Sequence, residues 1–165
     1  MDLDCEGVLS VAVEGTWFFD KIKEGEKNPD EYGTHKSFRW PHQQGHALIT
    51  GIREQIGFLI NLNRNHWVAV VLDFTSSTIW YGDSLALENK IPNDISCVLD
   101  WWTHFHSGHI FEHKPLPISM QRDGHSCSLL LWNALVVFFS AGKHTLLDAG
   151  KAADGRLEVF LRIVE

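Results

Sequence analysis

The chain has no run of lysine or arginine. Its 14 basic residues are outnumbered by 21 acidic ones, for a formal charge of -7. A nucleic-acid partner normally demands a basic stripe or patch, so that class of function is excluded. Cysteine is also scarce: Cys5, Cys97 and Cys127 form an odd set with no framework spacing, which excludes a disulfide scaffold. No apolar stretch is long enough to span a bilayer, and the longest, Leu129 to Phe139, carries Asn133 within it. The start, Met1-Asp2-Leu3-Asp4-Cys5-Glu6, is acidic and lacks the basic opening and apolar stretch of a signal peptide. Free thiols without a leader fit a reducing compartment. The expectation is an intracellular protein of the nucleus or cytoplasm, with no membrane and no nucleic acid among its partners. Internal repeats and low-complexity linkers are missing as well, so nothing divides the chain.

Its 165 residues are expected to form one domain, 1–165, with enough material for a sizeable core. Hydrophobic residues make up 44% and charged residues 21%, a globular balance. Seven Trp and ten Phe predict a core dominated by aromatic packing. Residues 8–22 are apolar and read as helical toward Lys23. The polar stretch 24–34, with Gly25, Pro29 and Gly33, reads as a loop. Residues 47–55 are compatible with a short helix. Strands are expected at 56–62, 67–74 and 78–82, each rich in Val, Ile, Phe or Trp. The tight Thr75-Ser76-Ser77 joint makes the last two an antiparallel hairpin. Helical spacing of Ile95, Val98, Leu99, Trp102 and Phe105 predicts a helix over 93–107, capped by Asn93 or Asp94 and ended by Gly108. Residues 109–120, with Pro115 and Pro117, suit an edge strand. A helix apolar on nearly all faces should run from Ser128 to Ala141 and lie buried, stopped by Gly142. An amphipathic helix closes the chain near 157–164. The order implies an α+β fold with a small, mostly antiparallel sheet covered by helices.

Four polar residues stand at the seams of these elements. His66 opens one apolar strand and Asp83 closes the next, so the hairpin would bring them within a rung or two of each other. Gln121 and Cys127 flank a short Gly-containing loop that feeds the buried helix. A cysteine is a nucleophile only as thiolate, and the start of a helix favours negative charge through its unpaired N–H groups and dipole. His66 could take the thiol proton, and Asp83 could hold the imidazole in the required tautomer. Gln121 could offer a side-chain N–H, beside the Cys127 backbone N–H, to the oxyanion formed when sulfur attacks a carbonyl. Singly, each has a plain structural explanation: a packed thiol, a strand-end His, a turn-forming Asp, a surface Gln. Together they form a candidate thiol hydrolase.

The run His66-Trp67 before a buried strand, then Tyr81-Gly82-Asp83-Ser84-Leu85, then Gln121-x5-Cys127, resembles the Ulp1/SENP-like (adenain-like) cysteine proteases specific for ubiquitin-like proteins. Ile60-Asn61-Leu62-Asn63 is similar to the family's Pro-Ile-Asn-Leu strand. Trp17-Phe18-Phe19-Asp20-Lys21-Ile22 resembles its Phe-Phe-x-x-Leu helix, and Phe38-Arg39-Trp40 resembles the segment that follows. The resemblance runs from about residue 15 to the C-terminus. It implies a papain-like fold with the nucleophile at the start of a central helix. The implied roles are His66 as base, Asp83 as its orienter, Cys127 as nucleophile and Gln121 in the oxyanion hole. It also implies a partner and substrate, the extended Gly-Gly tail of SUMO or a related modifier, and no cofactor. Trp67 would then roof a channel narrow enough that only glycine threads it. Two departures stand out. The chain reads Ser126-Cys127-Ser128 where the family usually has Asp-Cys-Gly, and the family's early Trp-Leu-x-Asp helix is not recognisable. The expectation is a compact, divergent domain with its N-terminal part shortened or missing.

Three other readings stay open. A catalytically inactive domain that only binds a ubiquitin-like protein is favoured by the two departures and opposed by the intact triad. An acyltransferase would use the same thioester but resolve it with an amine. A metal site could form from His104, His106, His109 and His113, although their spacing matches no usual zinc pattern.

Overall fold

The computed structural model describes residues 10–86, 88 and 90–151; the closing helix expected near 157–164 lies outside them. Within those residues five strands form one mixed sheet in sequential order. They are β1 (Val11–Val13), β2 (Gln55–Leu62), β3 (His66–Asp73), β4 (Thr78–Gly82) and β5 (Glu112–Pro115). The long central pairs β2–β3 and β3–β4 are antiparallel, whereas the short outer strands β1 and β5 pair in parallel. The helices are α1 (Trp17–Lys27), α2 (Pro29–Tyr32), α3 (Arg39–Ile49), α4 (Asn93–Ser107) and α5 (Cys127–Phe139). The α+β class expected from the sequence is the one observed.

Side chains alternate along β3, and each set meets a different helical layer. Val68, Val70 and Leu72 join Phe58, Ile79 and Tyr81 in a core with Phe18 and Ile22 of α1 and Leu99 and Trp102 of α4. Ala69 and Val71 point the other way, into a second cluster with Leu131, Ala134 and Leu135 of α5. Covering both faces turns β3 into an unbroken apolar run, which is why it reads so clearly in the sequence. Fully buried Leu131 and Leu135 should each stabilise the α5 layer by roughly 1.5–3 kcal/mol. Gly57 permits that layer's closest approach, since a Cβ there would sit 2.7 Å from the Phe139 ring.

Two turns fix the strand register near the four polar residues. Asn63 and Arg64 both hold left-handed backbone, with φ 53° and 63°, and return the chain so that Leu62 pairs with His66. After β3, the Asp73 carboxylate accepts from Thr75 N (3.0 Å), Ser76 N (3.2 Å) and Thr75 Oγ1 (2.6 Å). Burial alone would raise the Asp73 pKa, but the hydrogen bonds from Thr75, Ser76 and Gln55 outweigh it and the net shift is downward.

The N-terminal third differs from expectation. Residues 8–22 are not one helix: Val11–Val13 is a strand, and α1 begins at Trp17 and continues to Lys27. Much of the expected loop 24–34 is therefore helical, including α2. The misleading signal was Gly25, which serves packing rather than a break. A Cβ at Gly25 would lie 2.5 Å from the Tyr32 ring and 3.2 Å from Trp101. The helix suspected at 47–55 is α3, which starts much earlier at Arg39 and ends at Ile49. Its Pro41 is in the first turn, where a missing N–H costs nothing. The α4 boundaries match expectation and Gly108 ends it in left-handed backbone (φ 72°), but its N-cap is Pro92 rather than Asn93 or Asp94. The edge strand is shorter than 109–120, and α5 starts one residue early, at Cys127 itself.

Candidate active site

His66 and Asp83 meet as the hairpin requires. Ala69 pairs with Gly82, so one further step places Asp83 opposite Val68, two residues from His66 and on the same side of the sheet. The His66 Nε2 donates to Asp83 Oδ1 at 2.7 Å, with the two side chains 17% and 13% exposed. The same oxygen accepts from Leu85 N at 2.9 Å, which fixes the carboxylate. A carboxylate can only accept, so the proton is on Nε2 and Nδ1 is the nitrogen left to exchange protons.

Cys127 is the first residue of α5 and is buried. The Ser126 hydroxyl does not cap the helix, so its first-turn N–H groups have no side-chain partner from that position. Leu135 and Phe139 lie against Gly57, which pairs with Val71. The opposite end of α5 accordingly points toward the His66 end of β3. No hydrogen bond joins the Cys127 thiol to His66. Cys127 belongs to the α5 layer, while His66 and Asp83 lie by alternation on the opposite side of the sheet. Trp67, half-buried, packs against the same apolar cluster as Cys127.

A relay of bonds ties the two sides together. Ser84, next to Asp83 and fully buried, accepts from Gln121 N through its carbonyl at 2.7 Å. Its hydroxyl donates to Gln121 Oε1 at 3.1 Å. Gln121 Nε2 donates to the Asp123 carbonyl. The Asp123 carboxylate then receives His125 N (3.0 Å), Ser126 N (2.7 Å) and the Ser126 hydroxyl. The Ser126 hydroxyl, the His125 N–H and then the Ser126 N–H hold the Asp123 carboxyl down to about 2. The path His66, Asp83-Ser84, Gln121, Asp123, Ser126-Cys127 thus runs through hydrogen bonds joined by two peptide links. Sequence reasoning found its ends and missed Ser84 and Asp123. Asp123 had a legible signal, a carboxylate three residues before Ser126 at the mouth of an apolar helix. Ser84 had none.

Ser128 occupies the second position of α5 and is exposed. The histidines considered as metal ligands are scattered. His106 is wedged under α3 and bonded to the Tyr32 hydroxyl at 2.9 Å, His113 pairs with Asp100 at 2.7 Å, and His104 and His109 are exposed. Among the described residues no group of three or more His, Cys, Asp or Glu side chains converges as a metal site.

Comparison by sequence gives no match, either to a family model or to a characterised protein. Comparison by structure does. The C-terminal Ulp1 protease domain in complex with Smt3, the yeast ortholog of SUMO, superposes with a TM-score of 0.65 at 22% identity, over 92% of this chain and 66% of that one. The SUMO protease Ulp1 with its catalytic cysteine oxidised to a sulfinic acid gives 0.62 at 23% identity, over 87% and 63%. The Xanthomonas campestris effector XopD bound to ubiquitin gives 0.53 at 16%, over 93% and 80%. The chain therefore has the fold of the Ulp1 proteases and spans about two-thirds of the length of the Ulp1 domains it matches.

Proposed function

We propose that this chain, with its Ulp1 protease fold, is a cysteine peptidase that cleaves after the C-terminal Gly-Gly of a ubiquitin-like modifier, SUMO foremost. The observation that carries this reading is the 2.7 Å His66–Asp83 pair, with Cys127 at the first turn of α5 in the cluster that also packs Trp67, the residue after His66. In this mechanism His66 Nδ1 takes the Sγ proton, and the thiolate, favoured by the positive end of the helix dipole, attacks the carbonyl carbon of the terminal glycine. The carbonyl electrons move onto oxygen, where the Cys127 backbone N–H and the second N–H of the Gln121 amide receive them. Collapse breaks the C–N bond, and the imidazolium returns its proton to the departing amine. Water, deprotonated by His66, then attacks the thioester and releases the modifier's carboxyl and the Cys127 thiol. Asp83 keeps the Nε2–H tautomer throughout. Trp67, beside the Cys127 cluster, is the wall of the glycine channel.

The test is a set of electrophilic probes built on the C-termini of SUMO, ubiquitin and NEDD8. Covalent capture of Cys127 by one of them, lost in Cys127→Ser, is the expected result. A folded protein that none of the probes labels would overturn the peptidase in favour of a domain that binds such modifiers without cutting them.

A further inference from the structure

The fully buried Ser84 hydroxyl is bonded to a residue the mechanism uses, yet touches no reacting atom itself. Its acceptor is Gln121 Oε1, while Gln121 Nε2 faces the Asp123 carbonyl. That arrangement admits one orientation of the amide. A backbone carbonyl can only accept, so the NH2 end must face Asp123, and the oxygen end must face the Ser84 O–H. Turning the amide over would set its oxygen against the Asp123 carbonyl. An amide nitrogen carries two hydrogens, and one goes to Asp123. The same nitrogen reaches Asp123 Oδ1 only at 3.4 Å, a long contact that the second hydrogen exchanges for an oxyanion when one forms. Ser84 also holds the Gln121 main chain, through Gln121 N to Ser84 O at 2.7 Å, so both ends of the residue hang on one position. That position directly follows Asp83 in the chain.

We propose that Ser84 is a positioning residue that fixes which face Gln121 presents to the oxyanion, so that the Asp83-Ser84 dipeptide sets both the His66 tautomer and the oxyanion donor. This rests on the peptidase reading above. Removing the hydroxyl leaves Oε1 without its donor and frees the amide to rotate, while the main-chain bond and the small buried volume are kept. The effect belongs to the transition state, where the oxyanion exists, and not to ground-state binding.

The experiment is a kinetic cycle on the full chain with a modifier-tail substrate, comparing wild type, Ser84→Ala, Gln121→Ala and the double variant. Ser84→Ala is expected to lower kcat about tenfold with KM unchanged, a part of the roughly 10²–10³-fold expected when an oxyanion donor is lost outright. In the Gln121→Ala background it should add nothing. Side-chain amide NMR of Gln121 gives an arm independent of turnover: N–H signals displaced from free-glutamine shifts and slow to exchange with water in wild type should move toward free-glutamine shifts and exchange faster in Ser84→Ala. Unchanged kcat in Ser84→Ala, losses that multiply in the double variant, or unaltered amide signals would each overturn the assignment. A wild-type protein inert toward every tail substrate would instead sink the peptidase reading, and the amide signals alone would then decide whether Ser84 clamps Gln121.

Discussion

The two halves of the candidate site are held by different means. His66 and Asp83 sit on adjacent antiparallel strands, and a ladder of main-chain bonds running from Asp73–Thr78 to Ala69–Gly82 sets their spacing. Gln121 and Cys127 sit at either end of a loop whose shape depends on one carboxylate, Asp123, collecting N–H and O–H donors around itself. The ladder spreads its stability over many bonds, so no single side chain maintains it. The loop concentrates its order in one residue. The base side of the site should therefore resist perturbation of its surroundings, and the nucleophile side should yield to it.

The largest effect tests the chemistry shared by both halves. Cys127→Ala should bring turnover of a modifier-tail substrate below detection. Melting should show only a small loss of stability, since one buried thiol is replaced by a hydrogen. Measurable turnover in that variant would place the nucleophile elsewhere. Next comes the base side: Asp83→Asn keeps the ladder but favours the wrong imidazole tautomer. A loss in kcat of about 10³–10⁴-fold is expected, with an intact fold by circular dichroism.

Asp123→Ala tests the other side of the comparison. It should lower kcat about tenfold, an effect on the scale of a 1 Å misplacement, and should speed hydrogen exchange at His125 and Ser126 while leaving β3 and β4 amides untouched. A depressed carboxylate contributes stability that is present above its ordinary value near 3.8 and is lost as pH falls toward about 2. In the range where a peptidase is assayed Asp123 stays ionised, so its removal should scale the pH–rate profile without moving the acid limb. A displaced limb would mean that the loop carboxylate takes part in the proton chemistry. The smallest effect concerns the turn before His66. Arg64→Gly relieves a left-handed backbone conformation (φ 63°) in an exposed residue, and should raise stability by about 0.5 kcal/mol net of glycine's greater unfolded-state freedom. Unchanged kcat there, measured beside the drop in Asp123→Ala, would sharpen the contrast between a robust half and a dependent one.

Legibility follows the distance over which a feature is decided. β3 and β4 read directly as apolar runs, and the hairpin joining them is local, so the His66–Asp83 pairing could be expected from the short Thr75-Ser76-Ser77 joint. α4 shows its buried stripe through Ile95, Val98, Leu99 and Trp102. The N-terminal third does not read this way. Val11–Val13 becomes a strand only because β2 lies beside it, more than forty residues on. Gly25 looks like a break, yet it lies inside a helix and makes room for the Tyr32 ring, as Gly45 in α3 does for His106.

By itself the sequence determined the α+β class, the central strands, the apolar helix behind Cys127 and the four polar residues at their seams, because periodicity, turn chemistry and chain order are local properties; the helix is buried on one side only, with Trp132 exposed rather than enclosed as expected. Only the tertiary structure decided that Cys127 packs in the α5 layer with Trp67, that Ser84 holds Gln121 by both its main chain and its amide, and that Asp123 gathers the loop between Gln121 and Cys127. Those facts depend on which side chains meet after distant segments pack, and hydrogen-bond geometry of that kind leaves no trace in spacing along the chain.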